Sequence, residues 1–236
     1  AAAISEDGTA TVVAESDGRF TWLAPDLRPR WDRQVKGKVT TVALDPLGLI
    51  AAVATNQSQL LLIYSDGEIA REVSCPRPAQ YLAFVPGTTT VIAAADLGWV
   101  GAFNLERGDW IWRDSPVVNF GGLAVAGRGD PILLACFSEG LRGYQRDGKL
   151  WEFEQTPPSC RMVAVSYDAS SLVTVQMDGV IRGLSLDLKP RFSHRPAAPI
   201  TGMALSALGD VLWIAQADRS IVTLSTTDQS PVLGPN

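Results

Sequence analysis

Apolar positions recur along this chain in a fixed pattern. An alanine set inside an apolar triplet stands at Ala3, Ala43, Ala83, Ala124, Ala164 and Ala204, at spacings of 40, 40, 41, 40 and 40. Ala2, Val42, Leu82, Leu123, Val163 and Met203 precede it, and Ile4, Leu44, Phe84, Val125, Val165 and Leu205 follow it. Eleven residues beyond the alanine, a second column reads Ala14, Ala54, Ala94, Ala135, Val175 and Ala215. Seventeen residues beyond it, a third reads Phe20, Leu60, Val100, Leu141, Ile181 and Ile221. Three further on stand Leu23, Ile63, Phe103, Tyr144, Leu184 and Leu224. Chance does not align six repeats in four columns, and such a period marks a repeat architecture in which each repeat is one supersecondary unit. The columns predict three short apolar strands per repeat.

The residues between the columns are those that tight reversals need. Gly8, Gly48, Gly129 and Gly209 fall between the first and second strands, and Asp17-Gly18, Gly98 and Asp178-Gly179 fall between the second and third. After the third strand come Ser65-Asp66-Gly67, Arg107-Gly108-Asp109 and Arg146-Asp147-Gly148. A fourth segment with polar alternation follows, such as Ile69–Val73 or Leu150–Glu154, and suits an outer strand wet on one side. A helical solenoid fails, because turn residues break the chain too often for a 3.6-residue period to be sustained. The expectation is an all-β fold, a β-propeller of six four-stranded antiparallel blades, with the question of a seventh blade left open. Residues 1–236 read as a single propeller domain with blades starting near residues 1, 39, 79, 120, 160 and 200. The stretch Ser230–Asn236 is the candidate outer strand of the sixth. Small residues on the first two strands let them crowd around an axis, while bulkier ones fill the widening space farther out.

Particular segments resemble known repeats. Val39–Gly48, followed by Ile50–Val53 and Leu60–Ile63, resembles the inner strands of a WD-repeat blade. Gly98–Gly108 with Trp110 and Trp112, and Gly140–Tyr144 through Gly148–Trp151, resemble quinoprotein-type repeats. The resemblance covers the whole chain and is one of architecture. Asn104-Leu105 or Ser185-Leu186 stand where a WD repeat has its Trp-Asp pair, and no histidine recurs before the first strands, so the hydrogen-bond network of WD blades is absent. The cluster of polar and acidic residues that would hold a quinone with its calcium is also missing, so no cofactor is expected.

Composition narrows the function. With 46% hydrophobic and 19% charged residues the chain is not disordered. Its mean hydropathy of +0.10 is spread over short elements, with no run approaching the ~18 apolar residues of a membrane helix. A formal charge of −5 and a pI near 4.9 argue against a nucleic-acid binder or an anionic-membrane binder, both of which need a dominant positive field. Cys75, Cys136 and Cys160 are odd in number and widely spaced, and His194 is the only histidine, which disfavours a disulfide framework, a zinc site and a histidine-based triad. Cys136 and Cys160 read as core residues, and Cys75, before Pro76, as the one nearest solvent. Unpaired cysteines favour a cytoplasmic setting over a periplasmic or extracellular one. The chain opens on Ala1-Ala2-Ala3 without a methionine, which points to a start upstream.

Two readings of function remain. Arg28, Arg30, Arg33, Lys36 and Lys38 stand with one acid, Asp32, in an otherwise acidic chain. A second basic group is Lys189, Arg191 and Arg195, and charged outer edges also protect sheets from pairing with one another. The favoured reading is a non-enzymatic propeller scaffold for protein–protein interaction, a domain or subunit of a larger assembly. In it Arg28, Arg30, Arg33 and Trp31 contact an acidic protein surface, with no nucleic acid and no membrane insertion. The alternative is an enzyme or small-ligand binder with a site at the central channel mouth, built on Glu6, Asp7, Asp45 and Asp168.

Overall fold

The structure, a computed structural model, describes residues 1–153 and 159–227. Among these residues every regular element is a strand. The first blade comprises β1 (Ala2–Ile4), β2 (Thr11–Ala14), β3 (Arg19–Leu23) and β4 (Pro29–Gln34). The second comprises β5 (Val39–Leu44), β6 (Ile50–Thr55), β7 (Gln59–Tyr64) and β8 (Ile69–Ser74). The third comprises β9 (Tyr81–Phe84), β10 (Thr90–Ala95), β11 (Trp99–Asn104) and β12 (Asp109–Asp114). The fourth comprises β13 (Phe120–Val125), β14 (Ile132–Cys136), β15 (Gly140–Tyr144) and β16 (Leu150–Trp151). The fifth comprises β17 (Cys160–Val165), β18 (Leu172–Gln176), β19 (Ile181–Leu184) and β20 (Pro190–His194). The sixth comprises β21 (Ile200–Leu205), β22 (Val211–Gln216) and β23 (Ile221–Ser225).

Each sheet pairs its strands antiparallel in chain order, so five sheets have four strands and the sixth has three among the described residues. The segment Ser230–Asn236, read as the sixth outer strand, lies outside the described residues, as does Glu154. These sheets are the blades of a β-propeller, and their strands are the apolar columns of the sequence. The chain forms two compact units, Ala1–Val117 and Val118–Asn236, each carrying three blades.

Within a unit, the core lies between neighbouring blades. In the first unit, Val12, Phe20 and Trp22 pack with Val39, Val53 and Ile63 of the second blade. The other side of that blade, with Ala52, Leu60 and Leu62, packs with Val91, Trp99 and Phe103 of the third. In the second unit, Leu133 and Leu141 meet Cys160, Leu172 and Leu184, while Val173, Val175 and Ile181 meet Ile200, Leu212 and Ile214. The period of two thus sends alternate residues of one strand to opposite junctions.

All three cysteines are buried. This corrects the expectation for Cys75, which sits in the core shared by the second and third blades despite the adjacent proline. Burial pushes the thiols of Cys75 and Cys160 up to about 12 and that of Cys136 up to about 11, so they stay protonated and behave as small hydrophobes.

Candidate functional site

The basic stretch forms β4 and the loop after it, on the outer edge of the first blade. Its pairing with β3 places Trp31 opposite Trp22 and Arg33 opposite Phe20, while a register shift between Trp22 and Leu23 leaves Arg30 in a bulge. A bulge re-aims side chains and ends regular pairing, and here it turns an arginine out of the ladder. Arg28 and Arg30 are exposed, and Trp31 and Arg33 are half-buried.

The four residues therefore take different places. Trp31 is anchored: its ring lies 5.6 Å from that of Trp22 and 5.7 Å from that of Phe20, and its Nε1 donates to the Ser65 carbonyl at 2.8 Å. Gly67, at a φ of 92°, makes the turn after β7 beside this indole. Trp31 thus ties the outer strand of the first blade to the second. Arg28 pairs with Asp26 at 3.3 Å, and Asp32 is taken by Arg19 at the same distance. Both pairs are exposed and add little to stability. Among the described residues no ion pair engages Arg30, Arg33, Lys36 or Lys38. The strand is rigid beneath and cationic above. In the second basic group Lys189 pairs with Asp187, Arg195 reaches Asp178 at 3.8 Å, and Arg191 donates to Ser171 Oγ at 3.0 Å.

Of the four carboxylates named for a channel-mouth site, Glu6 is exposed, and Asp7, Asp45 and Asp168 are engaged in their own turns. Asp7 accepts from Ser5 Oγ at 2.7 Å and from Thr9 N at 3.0 Å. Asp45 accepts from the backbone N–H groups of Leu47, Leu49 and Ile50. Asp168 accepts from Ser170 N at 2.9 Å and Ser166 Oγ at 2.7 Å, and these donors hold its carboxyl down at about 2. Lys189 and the Ser185 hydroxyl do the same for Asp187, again to about 2. A group held ionised is a poor general acid, because the proton to be donated is absent at neutral pH.

Two clefts of about 520 Å³ lie in the second unit. One is lined by Arg161, Asp178 and Arg195 and the other by Ser171, Arg191 and Asp210, so neither brings two carboxylates together. Among the described residues no group of three or more His, Cys, Asp or Glu side chains is placed to hold a metal. Among the described residues no helix is long and apolar enough to cross a membrane.

The turn carboxylates give the first prediction. Because the folded-state pKa of Asp168 lies below the value of about 3.9 for a free aspartate, its contribution is present above that value and is lost as pH falls through about 2. The Asp168→Asn variant is expected to flatten the stability profile over this acid range relative to the parent. Urea midpoints measured at steps from about pH 5 to pH 2 check this; parallel profiles would show that the turn bonds do not matter.

No protein-family model matches the chain, and no curated protein does so at a significant level. Among solved structures it is similar to the β-propeller domain of Cps50 (Swd1) from Myceliophteria thermophila. The TM-score is 0.81 at 13% sequence identity, over 98% of this chain and 84% of that one. At that identity the likeness is one of fold, and the fold of this chain is a β-propeller.

Proposed function

We propose that this protein is a non-enzymatic propeller scaffold that recognises an acidic protein surface through the outer strand of its first blade. One observation carries the reading: Arg30, Arg33, Lys36 and Lys38 are grouped without ion-pair partners among the described residues, in a protein of formal charge −5. Unneutralised cations on an acidic molecule do not serve solubility, which the net charge already provides. They do provide a local attractive field that steers and orients an anionic partner. Trp31 and Trp22 hold the strand in place beforehand, so little ordering entropy is lost on binding. The similarity to the Cps50 propeller domain supports the fold from which such a surface is presented.

The test is the triple variant Arg28→Glu, Arg30→Glu, Arg33→Glu. Arg28 and Arg30 are exposed and Arg33 half-buried, so the circular dichroism spectrum and urea midpoint are expected to stay close to those of the parent. Recovery of protein partners from the native source is expected to fall at least tenfold at low salt, with a shallower dependence on added salt. Undiminished recovery by the folded variant would reduce this stretch to a charged sheet edge.

A further inference from the structure

The repeat makes the blades comparable position by position, and one position of the inner strands is charged in the fifth blade alone of the second to sixth. Three residues before the repeat alanine stand Thr40, Gln80, Gly121, Arg161 and Thr201. In the second, fourth, fifth and sixth blades the ladder shifts register at this residue and leaves it in a bulge. A bulge re-aims its side chain out of the ladder. Thr40 shows what the fold asks of that side chain: its hydroxyl donates to the carbonyl of Ala79, ahead of the third blade's inner strand. Arg161 Nη2 donates at 3.0 Å to the carbonyl of Ile200, the equivalent residue of the sixth blade. A neutral hydroxyl is therefore enough to tie neighbouring inner strands. A guanidinium brings a full charge and further N–H donors that this tie does not use.

Arg161 lines one of the two clefts of about 520 Å³, formed within the second unit by the start of β17, the turn between β18 and β19, and the loop from β20 to β21. Arg195 and Asp178 line it too, 3.8 Å apart and both exposed, while Arg161 is half-buried and makes no ion pair among the described residues. Two cations thus face one acid, in a protein of formal charge −5. The remaining walls are largely apolar, with Met177, Pro196 and Pro199 among them. The loop that carries the prolines is held from below. Ala198 N donates to Oε1 of the buried Gln216 at 2.9 Å, and Ala217 N donates to the Pro199 carbonyl at 2.8 Å. The wall is in place before any ligand arrives, so little ordering entropy is lost on binding.

We propose that this cleft binds a small organic carboxylate, with Arg161 taking the carboxylate and the wall of Met177, Pro196 and Pro199 taking its apolar body. The volume lies in the range of small-molecule sites, about 300–1,000 Å³, which combine apolar walls with a few polar groups that fix orientation. A charge-assisted bond from a guanidinium to a carboxylate is roughly twice as strong as one between neutral groups. The charge count selects the ligand further. A monoanion balances the cleft, whereas a dianion such as phosphate would overshoot and meet Asp178. The apolar wall in turn favours a carboxylate with a hydrocarbon body over a bare inorganic ion. This proposal does not depend on the basic strand, which lies on another blade, and either can fail alone.

The test titrates hexanoate into the isotope-labelled full chain and follows the backbone amide NMR signals, with hexanamide, its neutral counterpart, and inorganic phosphate alongside. Hexanoate is expected to give saturable shifts at Gly179, Ala197 and Ala198, half complete at about 1 mM or below, the scale for a ligand of this size. Hexanamide and phosphate are expected to bind at least tenfold more weakly. Arg161→Thr reinstates the tie seen at Thr40, so the urea midpoint should hold while hexanoate affinity falls at least tenfold. Ala197→Glu, at an exposed loop position, sets a carboxylate into the cleft and should cause the same loss. If Arg161→Thr lowers the midpoint, Ala197→Glu decides alone. The proposal is overturned by the absence of saturable shifts with hexanoate, or by shifts confined to residues away from the cleft. Hexanamide or phosphate binding as tightly as hexanoate would overturn it too, as would full hexanoate affinity in either folded variant.

Discussion

Gly121→Ala is expected to destabilise the protein by about 3 kcal/mol, while the same change one residue later, Gly122→Ala, is expected to cost well under half of that. A Cβ at Gly121 would stand 2.5 Å from the Arg161 carbonyl oxygen and 2.5 Å from the Phe137 ring. The ring could turn away, but the carbonyl belongs to β17, the inner strand of the next blade, and cannot yield without moving that sheet. At Gly122 the nearest atoms are the Met162 Cα and Val163 N at 3.4 Å, an ordinary contact. The difference arises because the register shift between Phe120 and Gly122 pushes Gly121 out of its own ladder toward the neighbouring blade. Urea denaturation of both variants gives the answer. Equal losses would mean that the inner strands are not packed this closely.

Trp22→Ala is expected to cost about 3–5 kcal/mol, the range for emptying a buried aromatic site. Trp22 is fully buried in the core between the first two blades and supports Trp31. Trp22→Phe is expected to cost much less. The indole N–H of Trp22 is buried without a hydrogen-bond partner, and phenylalanine removes that unsatisfied donor while keeping most of the apolar volume. A further consequence ties stability to function. With Trp22 gone, the Trp31 indole loses one of the two rings it leans on, β4 loosens, and the cations it carries are no longer held in one arrangement. Partner affinity should therefore fall in the alanine variant and survive in the phenylalanine variant. Similar stability losses in both would show that the indole N–H is satisfied in solution.

The repeat was legible because it is written in residue size and polarity at fixed spacing. The alanine column, the glycines at φ above zero such as Gly48, and the polar alternation of Ile69–Val73 each follow from local chemistry, and each lies where that chemistry puts it. What the pattern could not express is partnership across distance. Trp31 reads as an exposed anchor on an outer strand, yet its Nε1 is held by Ser65, 34 residues on, and the turn at Gly67 lies against its ring. Cys75 precedes a proline and so reads as a loop residue, but the loop is folded onto the Ala79 and Trp99 core. Likewise Asp7, Asp45 and Asp168 share a place in their repeats, but only their hydrogen bonds show them engaged as turn acceptors.

The most direct test of the proposed function is amine-to-carboxyl cross-linking of the native complex, because the chain has only four lysines and all lie in described segments. Lys36 and Lys38 flank the cationic strand, whereas Lys149 and Lys189 lie in the fourth and fifth blades and are already paired with Asp147 and Asp187. The account predicts zero-length cross-links from Lys36 and Lys38 to aspartate and glutamate side chains of another protein, lost when salt is raised to about 0.5 M. Intermolecular cross-links confined to Lys149 and Lys189, with none at Lys36 or Lys38, would contradict it.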